Sequence, residues 1–210
     1  MVSGVRAGVL ALQGASDPHL RALAACGVKP MEVRTQAELD AVTHLVIPGG
    51  ESTTMHHLLT LFDLWNPIRE RASAGTLSLF GTCAGAILLG RAPRGEESRP
   101  PRLGLLDAVV ERNAFGRQVD SFVEELPLAG LDGDGGSGGP PFLCTFIRAP
   151  RIRSVGPAVE VLGSRRGEPI LVRAPGLLAS TFHPELTGDV RIHRLFLQVV
   201  PSPSAKPAHL

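Results

Sequence analysis

Apolar residues are gathered into short blocks, each closed by glycine, proline or a polar cluster, and the blocks follow two alternating patterns. Residues 5–12, 43–47 and 77–80 are nearly unbroken apolar runs of strand length, as expected for strands covered on both faces. Residues 28–33 form a further strand, interrupted by Pro30 and therefore irregular or at a sheet edge. Between these runs lie helical segments with recognisable ends. Asp17 as N-cap and Pro18 at the first helical position open a helix over 19–26 that stops at Gly27. Thr35-Gln36-Ala37-Glu38 fits a capping box. Ser52 suits the N-cap of a helix over 54–61, and Asn66-Pro67 opens another that runs through 74 and ends at Gly75. The order β-α-β-α-β-α-α-β, with a helix from Ala86, predicts an α/β fold. It has three layers: a mostly parallel, doubly wound central sheet with helices on both faces.

The second half of the chain is richer in strands. Residues 103–123 carry short apolar runs around an irregular connection, followed by strands at 142–147, 159–162, 170–172 and 177–182 and a final helix over 189–199. Residues 92–102 read as a surface loop, and the glycine-rich stretch 131–141 as a flexible one, because strand-like sequence resumes directly after it. The expectation is a single domain over 1–200 with a disordered tail at 201–210.

Composition removes several function classes. With 210 residues and a net charge of +1, the chain offers no electrostatic case for nucleic acid or an anionic membrane. No signal-peptide layout is present, and no apolar run approaches the roughly 20 residues that span a bilayer. Three cysteines (Cys26, Cys83, Cys144) without any C-x-x-C argue against a disulfide framework and a zinc site, so no metal is expected and a reducing cytoplasm is the natural location.

Three stretches carry candidate chemistry. Gly81-Thr82-Cys83-Ala84-Gly85 joins a buried strand to a helix, the thiol version of the G-x-S-x-G elbow. The flanking glycines suit a turn needing unusual backbone angles and little bulk. A helix N-terminus would favour the thiolate of Cys83. Taken alone, Cys83 is also compatible with a buried structural cysteine. Pro48-Gly49-Gly50-Glu51-Ser52 exposes backbone N–H groups that can hold a carboxylate or oxyanion, or is a plain strand-to-helix turn. In His183-Pro184-Glu185 the two titratable residues, two apart in an extended segment, share one side, so Glu185 can orient His183; the alternative is a polar loop. His19, His44, His56, His57, His193 and His209 lack such company. Arg112 and Arg148 each follow an apolar run and are either strand-end cations or a fork for a carboxylate. Since Gly49-Gly50 and Cys83 both lie at strand C-termini, one crevice could hold them.

With these residues in place, the chain resembles the class I glutamine amidotransferases, which have a flavodoxin-like fold. More narrowly it resembles the PdxT family, the glutaminase subunit of pyridoxal 5′-phosphate synthase. Beyond the elbow and His183-Pro184-Glu185, the resemblance rests on Gly8-Val9-Leu10-Ala11-Leu12-Gln13-Gly14, Gly50-Glu51-Ser52-Thr53-Thr54-Met55, Arg112-Asn113, Phe115-Gly116-Arg117-Gln118 and Phe146-Ile147-Arg148-Ala149-Pro150. These run from residue 8 to 187 in family order. The chain departs from the family at Ser16-Asp17-Pro18-His19, where Arg-Glu-His is usual, and in the length of 131–141.

The resemblance implies that Cys83 attacks the side-chain amide of glutamine to form a glutamyl thioester, with His183 as proton carrier and Glu185 holding His183. It implies an oxyanion hole from the backbone N–H groups of Gly50 and Ala84, and glutamine binding by Gly50, Glu51, Ser52, Arg112, Ile147 and Arg148. Ammonia would pass to a (β/α)₈-barrel synthase subunit in a multimeric complex, and the glutaminase would be weak until that subunit docks. Pyridoxal phosphate would be the product of the complex, and no cofactor is expected on this chain. Two other readings remain open: a glutaminase subunit serving another amidotransferase, and a catalytically silent scaffold that binds the partner.

Overall fold

A computed structural model describes residues 4–95, 100–112, 121–131 and 139–203. Residues 113–120, most of the glycine-rich stretch at 131–141 and the tail from 204 onward lie outside the described residues. The first half follows the predicted order: β1 (Ala7–Leu10), α1 (Ser16–Ala25), β2 (Met31–Val33), α2 (Gln36–Asp40), β3 (His44–Ile47), α3 (Ser52–Leu61), α4 (Trp65–Ser73), β4 (Ser78–Thr82) and α5 (Ala84–Leu89). Then come β5 (Ala108–Glu111), β6 (Phe122–Leu126), β7 (Phe142–Phe146), β8 (Arg151–Val155), β9 (Glu160–Arg165), β10 (Glu168–Ala174), β11 (Leu177–Ser180), a single 3-10 turn at Pro184–Leu186 and α6 (Arg191–Leu197).

Seven strands form the central sheet in the order β2-β1-β3-β4-β11-β10-β9. The five from β2 to β11 are parallel, and β10 and β9 close one edge antiparallel. β2 is the other edge and begins just after Pro30, where a missing N–H breaks no ladder bond. Along each inner strand successive side chains enter opposite cores. Leu45, Ile47 and Leu79 pack with Met55, Leu59 and Ile68 on one face. Val46, Phe80 and Leu178 pack with Leu23, Ile192 and Phe196 on the other. Both faces are covered, which is why β1, β3, β4 and β11 are buried at every position.

Several local expectations are corrected. Helix α1 starts at Ser16 after Ala15 without a side-chain cap, so Asp17 and Pro18 lie inside its first turn, where a missing N–H is harmless. Helix α4 likewise starts at Trp65, one residue before Asn66-Pro67. Glu51, not Ser52, caps α3: Oε1 accepts from the N–H of Thr53 at 3.0 Å and Oε2 from that of Thr54 at 2.7 Å. Strand β8 was not expected from its sequence, in which charged and apolar residues mix. It pairs with β5, and its Arg151 and Arg153 reach Glu168 and Glu111.

Candidate active site

Strands β3, β4 and β11 are adjacent and parallel, so their C-terminal ends open on one side of the sheet. Gly49-Gly50 leaves the end of β3, Cys83 the end of β4, and His183 follows β11. The Cys83 N–H donates to the Ser180 carbonyl at 2.9 Å, extending the β4–β11 ladder up to the thiol. The His183 N–H donates to the Thr145 carbonyl at 2.9 Å, which ties this edge to β7. The segment after β7 brings in Ile147, whose carbonyl accepts from Cys83 Sγ at 3.9 Å.

The elbow works differently from its sequence reading. The unusual backbone angles fall on the cysteine itself, at φ 50° and ψ −103°, a region that non-glycine residues enter at an energetic cost. Gly81 and Gly85 instead permit close packing. A Cβ on Gly85 would stand 2.1 Å from the Ile47 carbonyl oxygen, and one on Gly81 would stand 2.5 Å from the Gly85 carbonyl carbon. A third close approach is made by Gly49, where a Cβ would lie 2.4 Å from His183 Cε1 and 3.4 Å from Cys83 Cβ. The β3 loop therefore presses directly on the imidazole and the cysteine.

Cys83 and His183 line a cavity of about 290 Å³ together with Gly50, Glu51, Ser52, Arg112, Ile147 and Arg148. Every side chain expected to contact a substrate is thus on its wall. Ala84 and Glu185 are buried behind the wall. Arg112 lies against α3, 3.5 Å from Glu51 and 3.3 Å from the Thr53 hydroxyl. Arg148 stands exposed at positive φ, and no ion pair involves it among the described residues. The Glu51 carboxylate faces its own helix. Slight burial would raise its pKa, but the Thr53 and Thr54 donors outweigh this and hold it at about 2. Glu51 is thus ionised and engaged with α3 and Arg112.

His183 Nδ1 lies 2.7 Å from Glu185 Oε1. This contact was expected from extended backbone, yet Glu185 sits in the 3-10 turn Pro184–Leu186; a tight turn, not strand alternation, brings the two together. Burial opposes a charge on His183. Hydrogen bonding and electrostatic attraction to Cys83 and Glu185 overcome it and raise the imidazole to about 10. Burial also opposes the charged form of Glu185, but the His183 bond and nearby histidines keep its pKa below the usual carboxylate value. The arrangement favours an imidazolium held between a sulfur and a carboxylate. By contrast, burial and Glu124 push the thiol of Cys144 up to about 12, and burial raises that of Cys26.

His19 and His193, read from sequence as lacking company, are in fact packed behind Glu185. His19 Nε2 is 3.4 Å from Glu185 Oε2 and 3.2 Å from Thr82 Oγ1, and His19 Nδ1 is 2.9 Å from His193 Nε2. A signal for His19 was available. It stands four residues before Leu23, and these two are the buried residues of α1. A histidine on an apolar helix stripe needs a polar partner. Among the described residues no group of three or more His, Cys, Asp or Glu side chains could hold a metal ion.

Comparison with known proteins agrees with this architecture. The chain is 51% identical over 201 residues to the pyridoxal 5′-phosphate synthase subunit PdxT of Frankia casuarinae, covering 96% of this chain and 98% of that one. It is 50% identical over 192 residues to the protein of the same name from Thermus thermophilus, covering 91% and 96%. A crystal structure of a glutamine amidotransferase superposes with a TM-score of 0.83 at 47% identity, covering 93% of this chain and 99% of that one. PurLQS from Thermotoga maritima, at 16% identity and a TM-score of 0.67 over 92% and 97% of the chains, shares the fold. The model of the SNO glutamine amidotransferase family matches residues 9–202. The chain therefore belongs to the SNO glutamine amidotransferase family.

Proposed function

We propose that this chain is the glutaminase subunit of a pyridoxal 5′-phosphate synthase, hydrolysing L-glutamine to L-glutamate and ammonia. The observation that carries the reading is the convergence of Cys83 and His183, with Glu185 bonded behind the imidazole, on one glycine-walled cavity rimmed by Arg112 and Arg148. Family membership and relatives of that name at about 50% identity support the pathway.

In the proposed sequence, glutamine lies with its α-carboxylate toward Arg148 and Arg112 and its amide toward Cys83. The Cys83 sulfur attacks the amide carbon, and His183 holds the thiol proton. Charge on the amide oxygen is met by the N–H groups of Gly50 and Ala84. His183 then gives its proton to the departing nitrogen, so ammonia leaves and a glutamyl thioester remains on Cys83. Water enters, His183 removes its proton, and hydroxide displaces the sulfur to yield glutamate and free Cys83. Glu185 keeps the imidazole oriented and offsets its charge throughout. Ammonia passes to the synthase barrel subunit before it can escape to water. A reactive thiol of this kind belongs in the cytoplasm, where it stays reduced.

The test is glutamate release by the purified chain, alone and mixed with a pyridoxal phosphate synthase barrel subunit, with Cys83→Ala as control. Release that rises on mixing and vanishes in the variant is expected. Release indifferent to the barrel would assign the enzyme another client. No release from a demonstrated complex would leave only a scaffold.

A further inference from the structure

We propose that His19 is a positioning residue: from α1 it holds its Nε2–H edge against the rear oxygen of Glu185 and so helps to set the carboxylate that orients His183. The inference rests on the glutaminase reading above and adds a residue to that site.

The direction of each hydrogen bond follows from the chain of contacts. Glu185 Oε1 accepts from His183 Nδ1, whereas its other oxygen, Oε2, is buried without a hydrogen-bond partner among the described residues and has His19 Nε2 3.4 Å away. An ionised carboxylate only accepts, so a lone pair on His19 Nε2 would face it unfavourably; the proton belongs there. That N–H makes its hydrogen bond to Thr82 Oγ1 at 3.2 Å and meets the carboxylate oxygen as an ion–dipole contact. Burial lowers His19 to about 4 and His193 to about 3, so both rings are neutral at pH 7 and each carries one proton. His19 Nδ1 is then an acceptor and takes the Nε2–H of His193 at 2.9 Å. His193 Nδ1 is left as a bare lone pair, which matches its having no hydrogen-bond partner among the described residues. The opposite assignment would bury an unpaired N–H there and set a lone pair against Glu185.

His193 on α6 thus sets the tautomer of His19 on α1, and His19 sets Glu185. His19 and His193 are fully buried, so bulk water does not take the place of either ring. With one carboxylate oxygen bonded to His183 and the His19 N–H dipole beside the other, this orientation of the Glu185 plane is favoured. The same His19 N–H reaches Thr82, the residue before Cys83, which links the orienting carboxylate to the strand that carries the thiol.

The experiment compares glutamate release by the chain in complex with the synthase subunit for wild type, His19→Leu, His19→Gln and Cys83→Ala. His19→Leu is expected to lower kcat by about 10- to 100-fold, the usual scale for removing a residue that orients a functional side chain from behind. KM should stay within about twofold, because His19 does not line the cavity. His19→Gln, whose amide can present an N–H near the place of Nε2, should recover most of the loss. A folded His19→Leu with wild-type kcat, or equal losses in the Leu and Gln variants, would overturn the inference. Release that survives Cys83→Ala would overturn the glutaminase reading itself. Should His19→Leu not fold, ¹⁵N spectra of the imidazole rings in the unaltered chain decide: the Nε2–H tautomer of His19 is expected, and an Nδ1–H tautomer contradicts the proposal.

Discussion

Glu185 stands between two histidines: one carboxylate oxygen is hydrogen-bonded to His183 Nδ1 at 2.7 Å and the other is 3.4 Å from His19 Nε2. Replacing the carboxylate by an amide keeps shape and volume but removes the negative charge and adds a donor. Glu185→Gln should therefore fold while favouring the wrong tautomer of His183. We expect kcat to fall by roughly two to four orders of magnitude with little change in melting temperature. Steady-state glutamate release and a thermal melt check this; retention of more than about a tenth of the activity would show that His183 needs no orienting charge.

Gly49 is the point where the β3 loop meets the imidazole. A methyl group there would lie 2.4 Å from His183 Cε1, inside any allowed contact, so Gly49→Ala must displace the ring or the loop. A stability loss of about 1–3 kcal/mol is expected, together with a loss of activity larger than the folded fraction explains. Denaturant titration and glutamate release measured on the same preparation separate the two.

Stability should depend on pH in opposite senses on the two sides of pH 6.5. His19 and His193 have folded values of about 4 and about 3, below 6.5, so each takes up a proton on unfolding in acid. Stability then falls as pH drops from 6.5 toward 4, with a limiting slope of about 2.7 kcal/mol per pH unit for two protons. His183, raised to about 10, contributes stability that is complete below 6.5 and lost as pH rises through 10. Urea midpoints across this range should peak near pH 6.5, and His19→Gln should flatten only the acid side. A level profile from about pH 5 to 8 would contradict these assignments.

Glu51 spends its carboxylate on the first turn of α3. Glu51→Ala should lower stability by about 1 kcal/mol through loss of the cap. Because its folded pKa is about 2, this contribution is present above 4.5 and lost as pH falls from there toward 2. A melt of the variant at pH 7 checks the first statement. Unchanged stability would show that the cap is redundant.

The parallel half of the fold was legible because its signals are local. The apolar runs of β1, β3 and β4 and the Thr35–Glu38 capping box need no distant partner to be recognised. The members of the site were legible as motifs, since a thiol between glycines and His-Pro-Glu advertise themselves. Their geometry was less so. The strain lies on Cys83, while Gly81 and Gly85 serve packing, a distinction that only the approach of Ile47 reveals. Ser52 is of the type that usually caps a helix and Glu51 is not, yet the longer Glu51 side chain takes the cap because it reaches two N–H groups at once. β8 escaped notice because its arginines are paired by Glu111 and Glu168 from other segments. His19 and His193 are 174 residues apart, and no sequence pattern joins them.

The central claim is that Cys83 is the nucleophile. Its most direct test is inactivation by an electrophilic diazoketone analogue of glutamine, followed by peptide mapping. The account predicts one adduct, on the peptide carrying Cys83, formed in proportion to lost activity and slowed by glutamine. Inactivation with Cys83 unmodified, or an adduct on Cys26 or Cys144 that tracks the loss, would contradict it.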